Sequence, residues 1–350
     1  MDKFVIDQAE GLRRLLAREG SRVIAVTGGP GSPGRTTVAI NLAAALTAQG
    51  KDVLVIDECL GPRSVSALLG GVRGASDVLG LSSGNPSHNL AGNFAALMRG
   101  EMTLDAAVGR HALGFGVLAA PGEHRAQYTG AQLDTQLSKL LAGPADFVLI
   151  DAQLDADGAL SPLAMHAHDV LIVMRVTAQA ITDAYACMKR LHFAHAIGQF
   201  RVLANHVESL PEAQAVFENL AGVASRYLTV SLESAGSVAA DPYMPRALQL
   251  SRCIVDAFPS TAAARDFRRV AAELPHWPMR PALSASGGAR VASAEPASSA
   301  SSASSTNSAS SADSADSFVS TVTGVPSAPA PAHAGWRAEP SVQRTAHQHA

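Results

Sequence analysis

The segment that most constrains the fold is residues 24–37, IAVTGGPGSPGRTT, in which apolar and β-branched residues lead directly into a glycine-rich turn. The spacing of Gly29, Gly34, Arg35 and Thr36 fits the G-x-x-x-x-G-K-[ST] pattern of a phosphate-binding loop, with arginine in place of lysine. In such a loop, backbone N–H groups and a helix N-terminus converge on an anion. The segment therefore predicts a strand, a phosphate loop and a helix in that order.

The chemistry of the loop residues suggests their roles. Glycines let the backbone approach a phosphate closely, a cation at position 35 would hold that phosphate, and the Thr36 hydroxyl would ligate Mg²⁺. Pro30 and Pro33 each remove an N–H donor, so a strand, turn and helix without a ligand is the alternative. The predicted nucleotide-binding residues of the loop are Gly29, Gly31, Gly34, Arg35, Thr36 and Thr37.

Two aspartates end strongly apolar runs. Residues 53–57 read VLVID and residues 147–151 read FVLID, so Asp57 and Asp151 each close a buried strand. Ligands of open α/β sheets gather at this carboxyl edge. We predict both as catalytic residues: Asp151 would hold Mg²⁺ through water, together with Thr36, and Asp57 would orient the metal or an attacking water. The alternative for either residue is an aspartate that caps the following turn.

Composition narrows the class of protein. The net charge of -3 provides no basic excess for a nucleic-acid footprint. Cys59, Cys187 and Cys253 lack metal-ligand spacing and are typical of reduced cytoplasmic thiols. No apolar stretch is long enough to span a bilayer, and the first residues lack a basic region followed by an apolar run. We therefore expect a cytoplasmic protein without an extensive nucleic-acid surface.

The order of apolar runs predicts an α/β fold, a doubly wound and mostly parallel sheet with helices on both faces. Residues 1–20 are expected to form a leading helix, 21–280 the folded domain and 281–350 a disordered Ser/Ala-rich tail. A further short strand is expected at 116–120. The predicted core strands are 23–26, 53–56, 147–150, 170–173 and 202–204, and the predicted core helices are 36–48 and 178–195.

These elements, in this order, resemble the deviant-Walker P-loop ATPases of the MinD/ParA class, and within it the FlhG (FleN) family of flagellar number regulators. The likeness extends over residues 5–275, and its most specific piece is DQAEGLR at 7–13, which matches the D-Q-A-x-x-L-R element of FlhG. In that family the element activates a partner GTPase, FlhF. The alternative is a polar helix that only caps the fold. The residues that the resemblance implies as partner-activating are Asp7, Gln8, Ala9, Leu12 and Arg13.

The resemblance also implies ATP or ADP with Mg²⁺ as cofactor, with Asn205 at the position that contacts adenine. It implies an ATP-dependent homodimer, and flagellar basal-body or transcription-regulator proteins as further partners. The family reaches the inner membrane peripherally through an amphipathic C-terminal helix. Here the apolar face of residues 263–274 is small and alanine-rich, so packing on the domain is favoured and membrane contact would be weak or transient.

Three positions depart from the family pattern G-K-G-G-V-G-K-T and its D-x-D element. Pro30 stands at the signature lysine, Arg35 at the second lysine, and Cys59 at the second acidic residue. Their loss removes charge stabilisation and water positioning, so ATP hydrolysis is expected to be weak or absent. An active MinD/ParA-like ATPase that cycles between cytoplasm and membrane is the alternative. A relative of the cobyrinate diamide synthases is a more distant one.

Overall fold

The computed structural model describes residues 20–30, 34–59, 61–70, 72, 93–120, 137–141 and 143–284. All of them belong to the first of the two units into which the chain divides, Met1–Ser305. The predicted leading helix, with its DQAEGLR element, Gly31 of the loop, and the tail after residue 284 lie outside the described residues. The three-part domain division therefore remains a prediction.

The described core is an eight-stranded sheet with the order β3-β4-β2-β5-β1-β6-β7-β8. Every neighbouring pair is parallel except β3 and β4, which are antiparallel. This confirms the predicted fold class. The strands are β1 (Arg22–Thr27), β2 (Val53–Asp57), β3 (Gly109–Arg110), β4 (Gly116–Ala119), β5 (Phe147–Asp151), β6 (Asp169–Arg175), β7 (Gln199–Val207) and β8 (Ser231–Ala239).

Eight α-helices have bounds within the described residues. Three short 3₁₀ turns accompany them, at Gly61–Arg63, Ala164–His166 and Leu274–His276. The helices are α1 (Arg35–Ala48), α2 (Val65–Leu68), α3 (Leu104–Ala107), α4 (Ala178–His195), α5 (Leu210–Leu228), α6 (Tyr243–Gln249), α7 (Ile254–Ala257) and α8 (Ala262–Glu273).

Helices cover both faces of the sheet, as strand alternation shows. Leu203 of β7 belongs to the main apolar cluster, which also contains residues of α1 and α8. The next residue, Ala204, points to the opposite face because successive side chains of a strand alternate. There it packs with Ala213 of α5. The central strands β1, β2 and β5 are buried at every residue, which explains their continuous apolar runs.

The last strand and the helix before it were not predicted. The sequence of β8, SLESAGSVA, is rich in residues of low β propensity, and most of its positions are partly or fully exposed. It pairs only with β7 and forms one edge of the described sheet. Edge strands carry polar residues that weaken the alternation signal, which is why this element was missed.

Helix α8 packs on the domain, as its small apolar face predicts. Its residues Ala263, Phe267, Val270 and Ala271 are buried within the main apolar cluster. In the described part of the chain, no helix is both long enough and apolar enough to cross a membrane.

A buried ion network holds the amino edge of the sheet. Asp169, the first residue of β6, accepts from Arg22 Nη1 at 3.3 Å, Arg201 Nε at 3.0 Å and Arg280 Nη1 at 2.8 Å. Glu233 pairs with Arg201 at 2.7 Å and with Arg280 at 2.6 Å. This network lies at the opposite end of the strands from the carboxyl edge, where the predicted site residues lie.

Candidate functional site at the carboxyl edge of the sheet

The two strand-end aspartates meet at the carboxyl edge. Asp57 and Asp151 are the last residues of β2 and β5, and they pair in register across these neighbouring parallel strands. Strand β1 lies on the other side of β5, and its last residue, Thr27, leads into the glycine-rich loop. The topology therefore brings the loop and both carboxylates together, as the sequence predicts.

The loop turns into α1 at a position that requires glycine. Gly34 has a φ of +109°, a conformation that residues with a Cβ rarely adopt. A Cβ built there would lie 2.4 Å from Nδ2 of Asn205. The side chain of Asn205, from β7, therefore lies directly against the loop. Gly29 is similarly crowded, because a Cβ there would lie 2.6 Å from the backbone carbon of Asp183 in α4.

The Arg35 side chain turns inward rather than towards open space. Its Nε donates to Oδ1 of Asp151 at 2.6 Å, and its Nη2 donates to Sγ of Cys59. Thr36 Oγ1 donates to the other carboxylate oxygen of Asp151, Oδ2, at 2.6 Å. The Asp151 side chain is fully buried, whereas that of Arg35 is 21% exposed. Both oxygens of Asp151 are thus engaged by residues of the loop and α1.

Asp57 stabilises the turn that follows its strand. Its Oδ1 accepts the N–H of Cys59 at 2.9 Å, and its Oδ2 accepts the N–H of Val65 at 2.5 Å. Burial, and then the charge of Asp151, raise the pKa of Asp57 to about 7. These contacts are those of an aspartate that caps the turn after its strand. The catalytic role of Asp57 remains a prediction.

A cavity of about 620 Å³ opens in front of the loop and α1. Arg63 and Arg190 line it, and both are exposed. Among the described residues, neither guanidinium has an ion-pair partner. The other lining residues are Gly28, Gly29, Pro30, Gly34, Arg35, Thr36, Thr37, Leu68, Gln153, Leu154, Asp155, Gly158 and Cys187.

A second cavity, of about 490 Å³, shares Gly34 and Thr37 with the first in its lining. Asn205 lines it, together with Arg175 at the end of β6. The Nε of Arg175 is buried and has no hydrogen-bond partner among the described residues. The remaining wall is formed by the segment after β8, residues Ala239, Ala240, Asp241, Pro242, Met244, Pro245 and Leu248, with His206.

The ligand atoms around Asp57, Cys59 and Asp151 differ from the set that Mg²⁺ requires. Mg²⁺ prefers six oxygen ligands in a near-octahedral array. Asp57, Cys59 and Asp151 hold their ligand atoms within 4.8 Å of one another, but one of these atoms is a thiol sulfur. Both oxygens of Asp57 accept backbone N–H groups, and both oxygens of Asp151 accept side-chain donors. The predicted ligands Thr36 and Asp151 are adjacent, but in this arrangement they do not fit Mg²⁺.

The structure thus brings together every predicted site residue that it describes. Gly29, Gly34, Arg35, Thr36, Thr37, Asp57, Asp151 and Asn205 all lie at one edge of the sheet. Sequence reasoning missed Arg63 and Arg190, because a single arginine in a turn or on a helix carries no motif. It also missed the neighbour of Asp57, Glu58, which is buried and accepts the N–H of Gln153 at 3.0 Å.

The fold and the loop define the class of protein. The profile of the CobQ/CobB/MinD/ParA nucleotide binding domain matches residues 24–224, more than half of the chain. The chain therefore belongs to this family of nucleotide-binding proteins. Within the family it is FleN-like. It is 31% identical over 271 residues to antiactivator FleN of Pseudomonas aeruginosa, and the matched region covers 74% of this chain and 88% of that protein.

Other proteins are similar to part of this chain or share its fold. The septum site-determining protein MinD of a Synechocystis species is 27% identical over 189 residues, covering 53% of this chain and 65% of that protein. The MinC:MinD cell division complex of Aquifex aeolicus shares the fold with a TM-score of 0.51 and 18% identity, over 74% of this chain and 97% of that one. A ParA family ATPase of Chlorobium tepidum also shares the fold, with a TM-score of 0.52 and 16% identity, over 73% of this chain and 99% of that one.

Proposed function

We propose that this protein is an FlhG-like regulator of flagellar number and placement that binds ATP or ADP and hydrolyses ATP slowly or not at all. The observation that carries the proposal is the 31% identity to antiactivator FleN across 88% of that protein. An antiactivator opposes an activator, so that relative is named for a regulatory action. A transcription regulator or a basal-body protein is accordingly among the partners that we propose.

The contacts of the loop support slow hydrolysis. A phosphate-loop lysine works as a point charge on the β- and γ-phosphates. Here Arg35 donates to Asp151 and Cys59 instead, and its charge is neutralised inside the protein. Pro30 has no side-chain charge at the position of the signature lysine, and the Cys59 thiol, whose pKa burial raises to about 12, supplies no acidic group. Less transition-state charge is therefore stabilised.

The two cavities accommodate the two ends of a nucleotide in this proposal. The phosphates lie in the larger cavity, at the N-terminus of α1 and between Arg63 and Arg190. The base lies in the second cavity beside Asn205, which can both donate to and accept from an adenine edge. Gly34 and Thr37 line both cavities, so one ligand can extend across the loop.

We further infer that the DQAEGLR element activates an FlhF-type GTPase, with Gln8 as the residue that acts on the partner. This action does not require ATP hydrolysis by the chain itself. Nucleotide binding would instead favour an ATP-dependent homodimer. The proposed location is the cytoplasm, with weak and transient contact with the inner membrane.

The test is GTP turnover by a purified FlhF-type GTPase, alone and with the full-length protein. The wild-type protein should stimulate turnover, and Gln8→Ala should abolish this stimulation without changing thermal unfolding. Gln214→Ala, on the exposed part of α5, is the matched control and should stimulate like the wild type. Equal stimulation by Gln8→Ala would contradict the assignment of the element. ATP turnover measured on the same samples separates this proposal from the active ATPase, which would turn ATP over readily.

A further inference from the structure

The cation that lies at Asp151 is part of the protein itself. Arg35 Nε lies 2.6 Å from Asp151 Oδ1, and its Nη2 reaches Cys59 Sγ. Asp151 is fully buried, its other oxygen accepts from the uncharged Thr36, and Arg35 is its one ion-pair partner among the described residues. An ion pair of this geometry inside a protein is screened weakly by solvent, so a competing cation must displace the guanidinium.

Among the described residues, the carboxylate oxygens of Asp57 and Asp151 around this pair are already engaged. Cys59 presents a buried sulfur, whereas Mg²⁺ prefers oxygen ligands. Both oxygens of Asp57 accept backbone N–H groups, from Cys59 and Val65. All four carboxylate oxygens of Asp57 and Asp151 thus accept a donor from the protein when Arg35 is in place. A divalent cation would have to displace one of these donors before it could bind Asp151.

We propose that the Arg35 guanidinium takes the place of the divalent cation at Asp151, so that this site binds nucleotide phosphates without Mg²⁺. The inference rests on the proposed nucleotide binding and specifies how its anionic charge is neutralised. Backbone N–H groups at the start of α1 and the guanidinium groups of Arg63 and Arg190 face the phosphates, and Arg35 keeps Asp151 from repelling them.

The experiment is calorimetric titration of the full-length protein with ADP, once with excess Mg²⁺ and once with EDTA. For the wild type, the two Kd values should agree within about twofold, which is under 0.5 kcal/mol. Arg35→Lys should instead bind ADP about tenfold more weakly in EDTA than in Mg²⁺. A single ammonium group cannot bridge Asp151 and Cys59, so the Asp151 carboxylate becomes available to the metal. Arg226→Lys, an equivalent exchange on exposed α5, should behave like the wild type.

Thermal unfolding with Mg²⁺ alone gives a second measurement. Wild-type Tm should not change with Mg²⁺, whereas Arg35→Lys should become more stable. Wild-type ADP binding that requires Mg²⁺ would overturn this inference while leaving the proposed nucleotide binding intact. Absence of ADP binding under both conditions would overturn both. The wild-type comparison decides the question even if Arg35→Lys does not fold.

Discussion

Asp57 and Asp151 lie opposite each other in register, each as the last residue of its own buried parallel strand. Two carboxylates in this position cannot both be ionised without cost unless a cation lies between or beside them. The Arg35 guanidinium provides that cation for Asp151, whereas the donors to Asp57 among the described residues are backbone N–H groups. The two aspartates therefore have different electrostatic roles despite their matching sequence contexts.

This difference predicts a dependence of stability on pH. The pKa of Asp57 is about 7 in the folded protein, compared with an ordinary value of 3.8. Between these two pH values the folded state therefore holds a proton that the unfolded state has released. The contribution of Asp57 is fully favourable below pH 3.8 and is lost as the pH rises through 7. Relative to Asp57→Asn, the free energy of unfolding of the wild type should fall by roughly 2–3 kcal/mol between about pH 5 and pH 8.

Urea denaturation across this pH range measures the effect. Asp157→Asn, at an exposed position outside the cavity lining, is the matched control and should track the wild type. A difference between wild type and Asp57→Asn that stays constant over the range would mean that Asp57 is already ionised in the folded protein.

The two cavity arginines should be needed for nucleotide affinity and not for folding. Arg63→Gln and Arg190→Gln each remove a guanidinium that lines the 620 Å³ cavity. We expect each to weaken ADP binding by about tenfold, the size of one charge-assisted hydrogen bond, with little change in Tm. Calorimetry measures the affinity, and Arg226→Gln serves as the exposed control. Wild-type affinity in both variants would exclude this cavity as the phosphate site.

The ion network at the amino edge should be important for stability. Asp169→Asn removes the carboxylate that joins Arg22, Arg201 and Arg280, and leaves Glu233 to pair with Arg201 and Arg280 but not with Arg22. Breaking a buried pair by removing one partner costs about 3–5 kcal/mol, and we expect a loss of this size in urea denaturation. Glu101→Gln breaks the exposed pair with Arg99 and should have no measurable effect. Equal stability of both variants would contradict a structural role for the network.

Much of the fold could be predicted from patterns that depend on local sequence alone. Helices α1 and α4 begin and end within a residue of their predictions, and strands β2 and β5 extend only to the predicted strand-end aspartates. Their apolar runs are strong because both faces of a central parallel strand are buried. Strand β8 was missed because its polar edge sequence carries no such signal.

Parts of the site could be predicted for the same reason. The loop glycines, Thr36, Asp57 and Asp151 follow from a motif and from strand ends, and Asn205 follows from family resemblance. Arg63 and Arg190 could not be predicted, since they come from a turn after β2 and from α4 and meet only across the cavity. The DQAEGLR element lies outside the described residues, so its role remains a prediction.

By itself, the sequence predicted the class of this protein, because the glycine-rich loop and the two strand-end aspartates are local patterns that, in this order, resemble the MinD/ParA class. It also determined where the chemistry departs from that class, at Pro30, Arg35 and Cys59. Only the tertiary structure decided which group neutralises the charge of Arg35. Its partner is Asp151, 116 positions further along the chain, and this ion pair can form only when β1 and β5 lie side by side.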